Sequence, residues 1–288
     1  MKIVRLGMTE SGILLLTYAD RYCNFPPQVK QQINQYRFSL TNWLYTTSGY
    51  YDKTVKGNKF NFNETAFNAN FDRLIEHFEE AVDGCDATQF IFHDGFIRSL
   101  FESVKDNFLS HYNITNFKLL NDTKSIDRLP FYYEQIKNKK VLVVSSFAEL
   151  CLQQYTSGNV YKLRCRFPQI KGVVGVTPPY CFLNNGPHDN YFETLASIFE
   201  EIKRQDFDVA VLGCGVYGHM LTHMIHSQLK KDAVYIGGCV TNLFGVLSTR
   251  ERIHGMGKDI ETNEFWVLTI PDKYKPSNYK EIEDGCYW

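Results

Sequence analysis

The chain has 288 residues, 44% of them hydrophobic and 15% aromatic, enough to bury a large core and at the upper end of one domain. Lysine plus arginine number 31 against 32 aspartate plus glutamate, so no net field steers the protein toward nucleic acid or an anionic membrane surface. No stretch approaches the ~20 apolar residues that span a bilayer, and Ile13 to Leu16 is too short for the apolar core of a secretory signal.

The eight cysteines are scattered without a CxxC pair, several inside apolar segments, which together with the lack of a signal predicts a reducing, cytoplasmic location. In chain order, Pro26 to Tyr45 predicts a helix entered through prolines. Asn63 to Val82 predicts a second, because Phe67, Phe71, Leu74, Ile75, Phe78 and Val82 share one face, and Gly84 stops it. Gln89 to Phe92 reads as a short buried strand with His93-Asp94-Gly95 as its exit loop. Phe96 to His111 follows as an amphipathic helix. The first half is thus mixed α/β.

From Lys140 the pattern becomes regular. Apolar runs at Val141 to Val144, Val173 to Val176, Asp208 to Leu212, Ala233 to Ile236 and Phe265 to Ile270 predict strands. Amphipathic stretches lie between them: from Ala148 to about Tyr155, around Tyr191 to Ile202, and from Val216 to Leu229. Strand alternating with helix predicts a doubly wound, mostly parallel Rossmann-like α/β sheet. Without repeats or a flexible linker, residues 1–288 read as a single domain, with 139–288 as a nucleotide-binding half and 1–138 as a mixed α/β N-terminal half. The aromatic ending Cys286-Tyr287-Trp288 is expected to dock on the body.

Ligands in such folds gather at the C-terminal ends of the strands. Gly213-Cys214-Gly215-Val216-Tyr217-Gly218 is a G-x-G-x-x-G between a predicted strand and a predicted helix, where glycines let backbone amides approach a phosphate. Gly237 and Gly238, with Thr241 beyond them, make a second glycine-rich exit. Ser145, Ser146 and Phe147 make a third, with the Glu149 carboxylate one turn into the helix. Arg250 could clamp a diphosphate. A dinucleotide or S-adenosylmethionine site would want an acid at the end of the next strand, which instead ends Ile236-Gly237-Gly238. Asp232 sits at the strand's other end, which argues against NAD and S-adenosylmethionine. His219, His223 and His226 share a helix at metal-like spacing but lack a fourth ligand nearby, so a packed or solvated helix face is the expectation.

Lys139 to Glu149, Gln154-Tyr155, Phe207 to Gly218, Ile236-Gly237-Gly238, Leu243-Phe244-Gly245, Asn263-Glu264-Phe265-Trp266 and Gly285 to Trp288, taken as an ordered set, resemble a family of bacterial polysaccharide-locus proteins similar to glycosyltransferases of the GT-D fold. The resemblance implies sugar transfer from a nucleoside-diphosphate sugar to a glycan hydroxyl. GT-D enzymes carry an Asp-x-Glu motif that holds a divalent metal and the donor diphosphate. Here Asp94-Gly95-Phe96 keeps the Asp and has Phe96 where the Glu stands. The resemblance therefore makes residues 1–138 the acceptor and metal side and Asp94 the candidate for holding Mn²⁺ or Mg²⁺; Asp94 and Glu149, both placed at strand exits, are the candidate catalytic acids. Two rival readings stay open: a Rossmann-type NAD or S-adenosylmethionine enzyme, and a non-catalytic nucleotide or sugar binder.

Overall fold

The computed structural model describes residues 1–53, 69–92, 95–120, 125–253 and 260–288. Seven strands form a single sheet: β1 (Lys2–Leu6), β2 (Ala87–Phe90), β3 (Phe117–Leu119), β4 (Lys140–Ser145), β5 (Gly172–Val176), β6 (Val209–Gly213) and β7 (Asp232–Tyr235). Their order is β3-β2-β1-β7-β6-β4-β5, and every neighbouring pair is parallel. The fold is a doubly wound α/β sheet.

Side chains alternate across the pleat, so each central strand feeds two cores. Val4, Leu6, Leu142, Val144, Ala210, Leu212 and Tyr235 face one layer; Ile3, Val141, Val143, Val209, Val211 and Val234 face the other. The first layer is built by α1 (Met8–Tyr22), α2 (Pro27–Trp43), α3 (Ala69–Val82), α4 (Phe96–His111), α7 (Tyr191–Lys203) and α8 (Tyr217–Leu229). The second is built by α5 (Ser125–Ile136), α6 (Ala148–Thr156) and a 3₁₀ segment, Gly237–Phe244. Burial on both faces explains why β4, β6 and β7 read as unbroken apolar runs.

Two features depart from the sequence reading. An inner strand, β1, pairs with β2 and β7, and its Lys2 and Arg5 interrupt the apolar run that would have announced it. Phe265 to Ile270 is not a strand: Val267 makes one isolated parallel bridge to Val246, and the surrounding chain runs as turns that seat Trp266 and Ile270 in the core. The tail ends with Ile282 and Trp288 buried against Phe147, Leu150 and Val246. No helix among the described residues is long and apolar enough to cross a membrane.

Candidate functional site

The sheet order sets the exits of β1, β7, β6 and β4 side by side on the C-terminal edge. Ser145, ending β4, pairs in register with Gly213, ending β6. A Cβ on Gly213 would collide with the Gly237 carbonyl oxygen and with Val240, just beyond β7. The three loops singled out in the sequence therefore abut.

Within this cluster the β6 loop is closed rather than open. A π-helical turn, Leu44–Ser48, follows α2 and lays its last carbonyl on the loop, where Ser48 O accepts the Val216 amide at 2.8 Å. That amide lies at the start of α8, where an anion would bind. Gly215 has φ +59, and a Cβ there would strike the same Ser48 oxygen. A Cβ on Gly218 would strike the Tyr235 ring. Each glycine of the motif thus answers to an internal neighbour. This corrects the expectation that Gly215 clears space for a phosphate. Tyr217 is likewise a core residue, stacked on Tyr191 at 4.8 Å with its hydroxyl donating to the Gly49 carbonyl at 3.1 Å. Cys214 is buried, and burial pushes its thiol upward, which disfavours the thiolate.

Charged groups stand one strand further along, at the exit of β1. Arg5 projects beside Gly237, whose missing side chain makes room for the guanidinium. Nη1 donates to the Ile236 carbonyl at 3.0 Å, and Nε is buried without an acceptor among the described residues. Burial alone would pull this guanidinium below its ordinary value, but Cys239, Tyr235, Tyr132 and Glu10 carry it above, so it stays charged.

Glu10 lies in the first turn of α1, only 6% exposed, where the helix dipole favours a carboxylate. Oε1 accepts the Ser48 hydroxyl at 3.3 Å, and Oε2 folds so close over Gly7 that a Cβ there would stand 2.6 Å away. Its charge acts on Arg5, Tyr235 and the buried His219. The Tyr235 hydroxyl, in turn, donates to the Gly215 carbonyl at 3.0 Å and ties the β6 loop to the same edge.

The remaining predicted residues fall into three places. Ser145 is buried and accepts the Phe147 amide on its hydroxyl at 3.2 Å, so it shapes the β4 turn, with Phe147 packed beneath the tail. Ser146 keeps partial exposure. Gly238 is exposed on the edge, while Thr241 is buried and turns back to the Gly238 carbonyl at 3.4 Å. Glu149 is solvated, held by Lys273 at 2.8 Å and Gln153 at 2.9 Å; hydrogen bonds from Lys273 and Tyr274 lower its pKa. Arg250 does not reach toward a diphosphate: its guanidinium pairs with Glu283 at 2.9 Å and meets the Tyr287 hydroxyl, and its amide donates to the Cys286 carbonyl. It clamps the tail. Asp94 lies outside the described residues.

No protein-family model, curated protein or solved structure matches this chain. The site is therefore read from its own geometry. Among the described residues no group of three or more His, Cys, Asp or Glu could hold a metal. His219 is buried against Phe78 and Tyr235, and His226 Nδ1 lies 3.4 Å from the N-terminal amine of Met1, so these two α8 histidines face internal neighbours. The sequence reading missed Arg5 and Glu10. The available signal was weak: a charged residue, Arg5, among the apolar Ile3, Val4 and Leu6, ending at Gly7 before an apolar stretch that carries Glu10.

Proposed function

We propose that this protein transfers a sugar from a nucleoside-diphosphate donor to a glycan hydroxyl, with the donor lying across the exits of β1, β7 and β4. The observation that supports this most is the convergence of Arg5, the glycine exit at Gly237-Gly238 and the β4 turn at Ser146 on one sheet edge, with a nearly buried carboxylate, Glu10, whose charge acts on the guanidinium. An arginine with unused donors suits a diphosphate leaving group. The end of β7 offers no acid for a dinucleotide ribose: Asp232 sits at the opposite edge, paired with the Met1 amine at 2.7 Å and Lys139 at 2.6 Å.

In this reading the acceptor oxygen bonds to the anomeric carbon as the bond from that carbon to the diphosphate oxygen breaks. The electron pair leaves with the diphosphate, whose charge Arg5 meets, and the hydroxyl proton passes to a carboxylate at the edge. Glu10 is the described carboxylate best placed for that proton. Asp94 and Glu149 complete the set of candidate acids, and a Mn²⁺ or Mg²⁺ ion would have to be held through Asp94, since the described residues offer no metal cluster.

The test is a screen of UDP-, GDP-, dTDP- and CMP-sugars for thermal stabilisation and for release of the free nucleotide. A ligand at ~100 times its dissociation constant adds about 2.7 kcal/mol. Stabilisation by NAD or S-adenosylmethionine, with none by any nucleotide-sugar, would refute the proposal.

A further inference from the structure

We infer that Gln89 of β2 joins Arg5 in holding one phosphate group, and that Tyr132 of α5 sets the orientation of its amide; this rests on the placement of the diphosphate at Arg5 proposed above. Arg5 and Gln89 are paired in register on adjacent parallel strands, one residue short of the Leu6 and Phe90 exits. Register partners project from the same face of a sheet, on strands about 4.8 Å apart. Ile3 and Ala87, two residues earlier on each strand, lie in the second core layer, so Arg5 and Gln89 turn toward that layer and its helix α5. Tyr132 closes the group: its hydroxyl donates to Gln89 Oε1 at 2.6 Å, and the Arg5 charge acts on it.

The occupant follows from the ends of these groups that remain. Burial pushes the Tyr132 phenol up to about 12, so it stays protonated and gives its hydrogen bond to Gln89. With Oε1 engaged, the end of Gln89 that remains is its N–H₂, a pair of donors. Arg5 Nη1 donates to the Ile236 carbonyl at 3.0 Å, while Nε is buried with no acceptor among the described residues. A buried donor on a charged group is costly to leave unmet, and a ligand can supply the acceptor. Arg128, one turn before Tyr132 and only 8% exposed, is a second guanidinium whose charge reaches the same hydroxyl. Donors and cations select an oxyanion over a metal ion or an amine. A phosphate offers oxygens to a guanidinium edge and to an amide at once, whereas the guanidinium edge alone takes both oxygens of a carboxylate.

The experiment titrates inorganic pyrophosphate and UDP into the full chain by calorimetry, comparing wild type with Gln89→Leu, Gln89→Glu and Tyr132→Phe, and records each melting temperature. Gln89→Leu keeps the bulk but removes the donors, and should weaken pyrophosphate binding about tenfold. Gln89→Glu keeps an acceptor for Tyr132 but sets a carboxylate against the anion, and should abolish measurable binding. Tyr132→Phe frees the amide to turn and should weaken binding roughly threefold. Equal affinity in wild type and Gln89→Glu would overturn the inference. So would Gln89→Leu and Tyr132→Phe variants that melt earlier yet bind pyrophosphate as wild type does, because the bond would then only pack α5 on β2. Loss of affinity in Arg5→Met but not in Gln89→Leu removes this inference and leaves the sugar-transfer reading. Binding through Gln89 by a wild type that releases nucleotide from no sugar donor keeps the phosphate site and removes sugar transfer. A wild type that binds neither pyrophosphate nor UDP overturns the phosphate site.

Discussion

The β6 exit carries a G-x-G-x-x-G in the strand-to-helix setting that suits a phosphate loop, while the β1 exit matches no motif. In the folded chain the first is sealed by its own Ser48 carbonyl, and the second presents a charged guanidinium and a nearly buried carboxylate. Glycine is demanded wherever backbone must come close, whether to a ligand or to another part of the chain. The motif therefore reports a close approach without naming what approaches. Charge at a sheet edge is the more discriminating sign, because desolvating it is costly unless something uses it.

The largest effect expected from this contrast is at Glu10. Glu10→Gln keeps the shape and the Ser48 partner but removes the base, so turnover should fall by roughly 10²–10⁴-fold, measured by steady-state release of nucleotide, with the melting temperature little changed. A near-normal rate would move the chemistry elsewhere on the edge.

Next in size is Gly215→Val. At φ +59, against the Ser48 oxygen, a branched side chain meets both backbone strain and a collision. It should cost about 3 kcal/mol in denaturant unfolding. A variant as stable as wild type that had lost only nucleotide binding would restore the phosphate-loop reading of the motif.

How far the sequence was legible follows the same division. Where apolar residues hold a clean period the elements read true: α4 runs Phe96–His111 as its spacing predicts, and β4, β6 and β7 sit where their runs placed them. The first strand and helix were missed because Lys2 and Arg5 break the run of β1, and β3 is only three residues long. α5 carries Pro130 inside it, a residue that reads as a helix breaker. Phe265 to Ile270 misled in the other direction, since Trp266 is buried in the second core layer and Ile270 against the tail rather than in a strand ladder. In the candidate site, the proximity of the β4, β6 and β7 exits was foreseeable, but the closure of one by Leu44–Ser48 depends on a contact between residues some 170 positions apart, which no local pattern encodes. Arg250 misled for a similar reason: the partner that neutralises it, Glu283, comes from the tail.

A smaller effect concerns acid. His77 on α3 is held neutral, its pKa lowered to about 4 by burial, then by Arg73 on its own helix and His223 on α8, with Tyr191 and Phe192 of α7 packed nearby. Between the unfolded value near 6.5 and about 4, the unfolded chain binds a proton that the native state does not. Stability should therefore fall as pH drops through that window and level off below it. Urea midpoints from pH 7 to 4 should show this slope in wild type and a shallower one in His77→Phe. Identical slopes would remove His77 from the account.

The smallest change is expected at Glu149. Solvated and held by Lys273, it should tolerate Glu149→Gln with a far smaller loss of turnover than Glu10→Gln, and with no measurable change in stability. If the order of the two variants were reversed, the β4 exit rather than the β1 exit would hold the reacting centre.

The comparison of edges is tested most directly by titrating nucleoside diphosphates into wild type, Arg5→Met and Arg5→Lys by calorimetry. Loss of hydrogen bonds to a charged group is worth about 1.5–3 kcal/mol, so Arg5→Met should bind at least tenfold more weakly while remaining folded, and Arg5→Lys should recover part of the affinity. Nucleotide binding by Arg5→Met as tight as by wild type would contradict the placement of the diphosphate at the β1 exit.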